Sequence, residues 1–189
     1  MSRNVPTVLK RTSKFKGKWL EFEEVEYVDA FNKVRTWENV VRTTEGGAVA
    51  MIATTVGKLI LVRQFRPPIG NYIIEFPAGL VDKEESYIVS ALRELKEETG
   101  YTGKVTGVTC PVYSSPGMTD ETTALVSIEI DSSLAENRNP KPQLEQTENL
   151  EVLEVEIKNL KNFLEERSKA GDYIDAKVMS FVSGINFKD

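Results

Sequence analysis

The chain has 189 residues, of which 40% are hydrophobic and 28% charged, and this composition is typical of one soluble globular domain with a sizeable core. A formal net charge of −5, from 24 basic and 29 acidic side chains, argues against nucleic acid as the main partner. No apolar run approaches the roughly 20 residues that a membrane helix needs, so no membrane partner is expected.

Histidine is absent from the sequence, and Cys110 is the single cysteine. These absences exclude Ser-His-Asp and Cys-His nucleophilic sites, His-ligated zinc and a disulfide within the chain. Catalysis must therefore use carboxylates, Lys, Arg, Tyr or a metal ion. We expect Cys110, in the apolar stretch VTGVTCPVY, to be a core residue.

The N-terminal residues, 1 to about 15, are polar without a period and are predicted to be poorly ordered. The first eighteen residues are basic and contain no acid. The expected compartment is the cytoplasm; mitochondrial import is an alternative, although Pro6 would interrupt an amphipathic targeting helix, and a nuclear location is left open.

Two strand-like runs, Trp19 to Val28 and Lys33 to Thr44, are joined by the turn DAFN and predict a β-hairpin. Two strands alone are only marginally stable, so this hairpin must pack on the main domain or on a second chain. Region 1–45 is therefore predicted to be a small N-terminal antiparallel β layer, and the protein is predicted to be a homodimer.

The main domain, 46–189, is predicted to be α+β. Its strands are expected at 48–55, 58–65, 72–76, VTGVTCPVY, TTALVSIEI and LEVLEVEI; its helices at Ser86 to Gly100, Leu160 to Arg167 and Ala176 to Phe187. Pro77, Ala78 and Gly79 predict a tight irregular loop before the first helix, and Asp131 to Thr147 a mobile surface loop.

The first helix combines an apolar face with an acidic one. Ile88, Ala91, Leu92 and Leu95 recur at helical spacing and predict burial against the core. Three carboxylates, of Glu94, Glu97 and Glu98, fall within an arc of roughly 100° because each residue turns the helix by about 100°. A solvated acidic surface is the ordinary interpretation of such a face, and a divalent cation among the acids is the alternative.

The spacing around this helix favours the second interpretation. Gly79 is followed after five residues by Glu85, and after seven more by the run RELKEETGY, which begins at Arg93. This arrangement resembles the Nudix box at every fixed position. The one departure is Tyr101, where the family usually has an aliphatic residue, and it affects packing more than chemistry. The resemblance implies the Nudix fold, an α/β/α sandwich with a mixed β-sheet.

For the box itself, the resemblance implies a divalent metal site and its supporting residues. The metal ligands would be Glu94, Glu97, Glu98 and the main-chain carbonyl of Ala78, and Glu85 with Arg93 would orient the ligating acids. Oxygen ligands favour hard cations, so Mg²⁺ is expected and Mn²⁺ is an alternative. Such an ion polarises a phosphoryl oxygen and lowers the pKa of a bound water, while a nearby carboxylate takes the proton.

Outside the box, the chain is similar to the ADP-ribose and ADP-sugar pyrophosphatases. The similarity covers Pro116, sixteen residues beyond Gly100, and the segments GKWLEFEEVEY, RTWENVVRTT and QFRPPIGNYIIEFPAGLVD. It implies hydrolysis of ADP-ribose, and of other ADP-sugars, to AMP and the sugar phosphate. The alternatives are another substrate (an oxidised nucleoside diphosphate, NADH or a GDP-sugar) or an inactive nucleotide-binding module, against which the intact acidic cluster argues.

The same similarity implies the substrate-binding residues. Trp19 and Trp37 would sandwich the adenine, with the hairpin of one subunit reaching across the dimer, and a packing role is the alternative for both. Arg66 suits a phosphate because a guanidinium binds phosphate oxygens in a bidentate manner. The further implied substrate contacts are Glu38, Arg42 and Leu80.

The general base is sought among three glutamates outside the box. In ADP-ribose pyrophosphatases a glutamate on a loop before a late strand approaches the attacking water, and Glu148 matches it best, with Glu145 second. Glu121, in SSPGMTDE, is the third candidate and is more suited to contact the terminal ribose. A solvated loop acid is the alternative for each.

Overall fold

The structure is a computed structural model that describes residues 4–44, 46–144 and 149–186. The strands are β1 (Thr7–Lys16), β2 (Leu20–Val28), β3 (Val34–Arg42), β4 (Ala48–Thr55), β5 (Lys58–Arg66), β6 (Asn71–Glu75), β7 (Ala78–Leu80), β8 (Lys104–Val108), β9 (Val112–Tyr113), β10 (Thr122–Glu129), β11 (Leu150–Glu156) and β12 (Tyr173–Ile174). The helices are α1 (Tyr87–Thr99), α2 (Ala135–Arg138), α3 (Leu160–Lys169) and α4 (Ala176–Asn186), and 3₁₀ turns lie at Pro67–Ile69 and Ile157–Asn159. Within these ranges no helix has both the length and the apolar character that crossing a membrane requires.

The chain divides into two compact units. The N-terminal unit combines Met1–Gly47 with Pro111–Thr123, and the larger unit combines Ala48–Cys110 with Ala124–Asp189. The segment Pro111–Thr123 therefore belongs with the N-terminal residues although it lies far from them in sequence.

The N-terminal unit contains an antiparallel sheet in the order β1-β2-β3. The predicted hairpin is confirmed as β2 and β3. Its turn is held by Asp29, whose Oδ1 accepts from the backbone N–H groups of Phe31 and Lys33 at 2.8 and 2.9 Å and whose Oδ2 accepts from Arg35 Nε at 3.0 Å. These hydrogen bonds lower the pKa of the Asp29 carboxyl, and the bond from the backbone N–H of Lys33 has the largest effect.

The prediction of poor order for residues 1 to about 15 is wrong from Thr7 onward, because β1 begins there and pairs along its length with β2. Its basic side chains are matched by acids across the pair. The ion pairs join Arg11 to Glu23, Lys14 to Glu24 and Lys16 to Glu21. A strand whose polar residues find partners on its neighbour shows no apolar period of its own, which explains the wrong prediction.

The larger unit contains a mixed sheet in which β6, β5, β4, β10 and β8 are neighbours in that order. β12 runs parallel to β6, whereas the pairs β5–β6, β4–β5, β4–β7, β5–β11 and β8–β10 are antiparallel. β11 pairs with β5 and β7 pairs with β4. This mixed sheet agrees with the expected fold class.

Side chains alternate between the two faces of the sheet and build a core on each. One core contains Val49, Met51 and Ile60 with Ala91 and Leu95 of α1. The other contains alternate residues of the same strands with side chains of α3 and α4: Ala50, Leu59, Leu61, Leu160, Leu164, Val178 and Val182. Because successive residues of a strand point to opposite faces, apolar strands such as β4 and β5 require helices on both sides. The result is an α/β/α sandwich.

The predicted first helix is confirmed, with one change in its buried face. Ser86 is the N-cap, its Oγ accepting from Val89 N, and Gly100 ends the helix in the left-handed conformation, φ 77°. Ala91 and Leu95 are fully buried as expected. The prediction that Ile88 is buried is wrong, because 45% of its surface is exposed.

Three further expectations need correction, and one strand was not expected. Cys110 is exposed rather than part of the core, because the expected single strand VTGVTCPVY is broken into β8 and β9 on either side of it. The expected irregular loop after Pro77 contains β7, and the loop from Asp131 contains α2. The short strand β12 had no counterpart in the sequence prediction.

Candidate active site

The segment before α1 is fixed against β4. Met51 N donates to Pro77 O at 2.8 Å, and Ala78 and Gly79 pair with Ala50 and Val49. The backbone of residues 77–79 is thus part of the sheet, which makes it a rigid support for the acidic helix.

Glu94 lies against Gly79. A Cβ on Gly79 would lie 1.9 Å from Glu94 Cδ and 2.1 Å from its Oε1, so no residue with a side chain fits there without moving the carboxylate. The glycine of the box is therefore required by the close approach of Glu94 rather than by a turn.

Glu98 lies beside the neighbouring residue. Its Oε2 accepts from the backbone N–H of Ala78 at 2.9 Å, and the residue is 4% exposed. Two carboxylates from successive turns of α1 are consequently held at two consecutive residues of β7.

Arg93 lies among the acids of the box. Its Nη1 donates to Glu94 Oε1 at 2.8 Å and to Glu97 Oε2 at 3.0 Å. Its Nη2 donates to Glu85 Oε2 at 3.0 Å and to the main-chain oxygen of Leu80 at 3.3 Å. The bonds to Glu85, and then to Glu94 and Glu97, raise the pKa of Arg93. One guanidinium thus fixes the positions of three carboxylates.

Glu85 is held from both sides. Ser90 Oγ donates to Glu85 Oε2 at 2.6 Å, and Ser90 is fully buried. The hydrogen bond from Arg93, and to a smaller extent that from Ser90, lowers the pKa of the Glu85 carboxyl. The sequence interpretation missed Ser90, although a polar residue beside Ala91 on the buried side of the helix was a signal that could have found it.

The donor atoms suit a hard cation, but the carboxylates are not gathered into a cage. In the described ranges no three Asp, Glu or Cys side chains form a group that could hold a metal ion. The physical reason is that Arg93 draws Glu94 and Glu97 to its own nitrogen. Carboxylate oxygens are nevertheless the ligands that Mg²⁺ and Mn²⁺ prefer. The carboxylate of Glu94 lies against Gly79, and that of Glu98 accepts from the backbone N–H of the adjacent Ala78.

Arg66 is held by a residue that sequence interpretation missed. Its Nε and Nη2 both lie 2.9 Å from Oε1 of Glu75, which is 8% exposed. Burial raises the pKa of Glu75, and Arg66 opposes that shift. An acid inside the apolar strand NYIIE was the available signal, since buried charges are almost always paired.

Trp19 and Trp37 are not brought together within one chain. Thr43 N donates to Trp19 O at 3.1 Å, whereas Trp37 pairs with Val25, six residues further along β2. At about 3.3 Å per residue this separates the two tryptophans by about 20 Å. Two rings stacked on one base lie about 7 Å apart, so these two rings cannot sandwich the same adenine.

Both tryptophans are accessible, with 61% of Trp19 and 51% of Trp37 exposed. Trp37 Nε1 donates to Gly117 O at 2.9 Å, which fixes the orientation of its indole. Arg42 forms an ion pair with Glu121, so two of the expected substrate contacts bind each other. Glu38 is exposed on β3.

The expected general bases Glu148 and Glu145 lie outside the described residues, so the structure does not place them. Tyr101, the departure from the box pattern, lies in the core on the α1 side and donates from its hydroxyl to Glu154 Oε1 at 2.6 Å. Its packing role is thus as expected, and the bond to Glu154 is an addition.

Known proteins resemble this chain both in sequence and in fold. Residues 44–173 match the NUDIX domain family. A solved structure described as ADP compounds hydrolase has the same fold, with a TM-score of 0.69 at 23% identity, and the match covers 87% of this chain and 85% of that one.

Three curated relatives match this chain over most of their own length. An ADP-ribose pyrophosphatase of Saccharomyces cerevisiae is 38% identical over 89% of this chain and 77% of its own. An ADP-sugar pyrophosphatase of Mus musculus is 39% identical over 87% and 80%. An ADP-ribose pyrophosphatase of Bacillus subtilis is 36% identical over 93% and 89%.

Proposed function

Because the chain belongs to the NUDIX domain family, we propose that it is a Mg²⁺-dependent hydrolase that cleaves the diphosphate of ADP-ribose, and of other ADP-sugars. The products from ADP-ribose are AMP and ribose 5-phosphate. The observation that carries the proposal is the placement of Glu94 and Glu98 at Gly79 and Ala78. The names of the yeast, mouse and Bacillus relatives support the choice of substrate.

The divalent ion would be held by the carboxylates of Glu94, Glu97 and Glu98 and by the main-chain oxygen of Ala78. When bound, the ion supplies charge neutralisation of the diphosphate and activation of water. Arg93 and Glu85 orient the ligating acids, which is supported by their hydrogen bonds to one another and by those of Arg93 to Glu94 and Glu97.

Hydrolysis forms one P–O bond and breaks another. The oxygen of water bonds to one phosphorus, the anhydride P–O bond of that phosphorus breaks, and the bridging oxygen leaves with the other product. Glu148 is the proposed acceptor of the proton from water, and Glu145 is the second candidate. A carboxylate suits this role in a chain that has no histidine.

Substrate contacts are proposed for residues outside the acidic helix. Arg66 binds the diphosphate; its guanidinium is held through Nε and Nη2 by Glu75, which leaves its remaining N–H groups for phosphate oxygens. Trp19 and Trp37 stack on the adenine. The other proposed contacts are Glu38, Arg42, Leu80 and Glu121.

We also propose a homodimer, which the separation of the two tryptophans supports. Since Trp19 and Trp37 lie about 20 Å apart along the strands of one chain, a sandwich around one adenine needs one ring from each of two chains. We therefore assign dimerisation and adenine contacts to region 1–45 and hydrolysis to region 46–189. Trp19 and Trp37 are exposed, which supports such an association.

Substrate profiling tests the proposal. Hydrolysis of ADP-ribose, an ADP-hexose, a GDP-sugar, NADH and an oxidised nucleoside diphosphate is compared by product chromatography, with Mg²⁺ and with EDTA. We expect ADP-ribose to have the highest kcat/KM, AMP to be released, and EDTA to stop turnover. A large preference for a non-adenine substrate, or tight binding of ADP-ribose without hydrolysis, would contradict the proposal.

A further inference from the structure

The last turn of α1 is capped by a part of the chain that lies far from it in sequence. Gly100 N makes the last bond of the helical ladder, at 2.9 Å to the carbonyl four residues before it. Tyr101 N, the next donor in line for Glu97 O, donates to Thr99 Oγ1 at 3.2 Å instead. Glu97 O accepts from Gln143 N at 2.7 Å. A helix has no N–H groups for its last four carbonyls, so Gln143 supplies a bond that the helix itself cannot make.

The residues that lead to this bond are 137–143, which we call the clasp segment. Its sequence is NRNPKPQ, with prolines at 140 and 142. Proline fixes its own φ near −65° and keeps the residue before it out of the helical conformation, so this stretch is extended and stiff. Because Pro142 has no N–H, Gln143 is the first residue beyond the two prolines with a backbone donor.

The backbone of Lys141, between the two prolines, lies directly against Gly100. A Cβ on Gly100 would lie 2.2 Å from Lys141 N and 2.5 Å from its carbonyl carbon. Gly100 also has a φ of 77°, a conformation that favours glycine by itself. Glycine at this position therefore meets two separate requirements, the left-handed end of the helix and the close approach of the clasp segment.

The other end of the clasp segment is fixed by Asn137. Its Oδ1 accepts from Thr102 N at 2.9 Å, and its Nδ2 donates to Thr102 O at 3.0 Å and to Asp131 O at 2.9 Å. Asn137 is 5% exposed, and a buried amide with these partners is firmly held. The clasp segment is thus attached at both ends to the chain around the end of α1.

The last turn of α1 carries Glu97 and Glu98, two of the proposed metal ligands. Helix ends fray, and a frayed turn would move both carboxylates away from Ala78, whose backbone N–H donates to Glu98. We infer that the clasp segment is a positioning element for the metal site. Its bond to Glu97 O keeps the last turn helical, and Glu97 and Glu98 therefore stay in place for the divalent ion. The inference rests on the proposed function.

Gln143→Pro and Gln143→Ala form a matched pair that tests this role. Both remove an exposed side chain, but only proline removes the N–H that Glu97 O accepts. Mn²⁺ affinity is measured by electron paramagnetic resonance, and amide hydrogen exchange in the last turn of α1 by mass spectrometry without metal. We expect Gln143→Pro to bind Mn²⁺ about fivefold more weakly and to exchange these amides several-fold faster, because one hydrogen bond is lost. Gln143→Ala should equal the wild type in both.

Gly100→Ala is a second test, with Gly171→Ala as its control. Both glycines have positive φ, 77° and 102°, so alanine strains the backbone at either position. A Cβ on Gly171 meets nothing within 4 Å, whereas one on Gly100 would displace the clasp segment. Gly100→Ala should therefore weaken Mn²⁺ binding several-fold more than Gly171→Ala does.

Metal binding and exchange, rather than turnover, decide the inference, because the proposed proton acceptors Glu145 and Glu148 follow Gln143 in the sequence. Unchanged Mn²⁺ affinity in Gln143→Pro would overturn it. Faster exchange without weaker binding would do so as well, since the clasp segment would then only stabilise the fold. If the wild type does not hydrolyse ADP-ribose, the proposed function fails, whereas the Mn²⁺ and exchange measurements still decide the role of the clasp segment.

Discussion

Glu94 occupies the space that a side chain on residue 79 would need, since a Cβ on Gly79 would lie 1.9 Å from Glu94 Cδ. Gly79→Ala should therefore displace this carboxylate and reduce kcat by at least tenfold, an effect of about 1.4 kcal/mol on the barrier. Steady-state kinetics with ADP-ribose measure it. Gly184→Ala is the control, because a Cβ there meets nothing within 4 Å; equal losses in both variants would contradict the assignment.

Glu98→Gln should lower turnover by orders of magnitude while the protein stays folded. Gln preserves the shape of the side chain and removes the charge of a carboxylate that is held by Ala78 N. Kinetics with a Mg²⁺ titration and a thermal melt are the measurements. Glu166→Gln, on the exposed side of α3, should retain full activity. Wild-type turnover in Glu98→Gln would refute the metal assignment.

Glu75→Gln should raise KM for ADP-ribose several-fold with little change in kcat, because Arg66 loses the charged partner that holds Nε and Nη2. Arg66→Lys should have a similar effect, since Lys lacks the bidentate fork. The double variant should be no worse than the more affected single variant. Fully additive effects would show that Glu75 does not act through Arg66.

Trp37→Ala should chiefly raise KM, about tenfold or more, because base stacking on an aromatic ring contributes about 1–3 kcal/mol. Trp37→Phe retains a ring and loses only the hydrogen bond to Gly117 O, so its KM should rise less. Phe31→Ala removes an exposed aromatic side chain from the β2–β3 turn and should leave KM unchanged. An unchanged KM in Trp37→Ala would return this residue to a packing role.

Asp29→Asn should make the stability of the protein less dependent on pH in the acidic range. Its carboxyl pKa is lowered in the folded state by Lys33 N–H, Arg35 and Phe31 N–H. The stabilisation is thus present above the unfolded-state pKa of about 3.9 and is lost as pH falls through the folded-state value. Melting temperatures between pH 2 and 7 should differ between wild type and variant at neutral pH and converge in acid. A constant difference would rule out this role.

Local patterns predicted most of the larger unit because its elements are defined by their own residues. α1 has a cap at Ser86, an apolar face and a glycine stop at Gly100, and each is visible without knowing a neighbour. The strands β4 and β5 are continuous apolar runs for the same reason. The acids that we propose as metal ligands followed from their spacing along this helix.

What the sequence did not predict depends on pairing between distant residues. β1 is recognisable as a strand only beside the glutamates of β2. Ser90 and Glu75 acquire their roles from a helix turn and a strand register, and neither has a local pattern. Cys110 was misplaced because an apolar context does not reveal where a strand breaks.

The basic character of β1 also bears on how copies of this protein associate. β1 is an edge strand of its three-stranded sheet, and it exposes Lys14 and Lys16 along its length. A row of charges on an edge strand opposes the addition of a further strand, because like charges would face each other across the new pair. Uncontrolled growth of this sheet from one chain to the next is thereby disfavoured, and association is directed to the faces of the sheet.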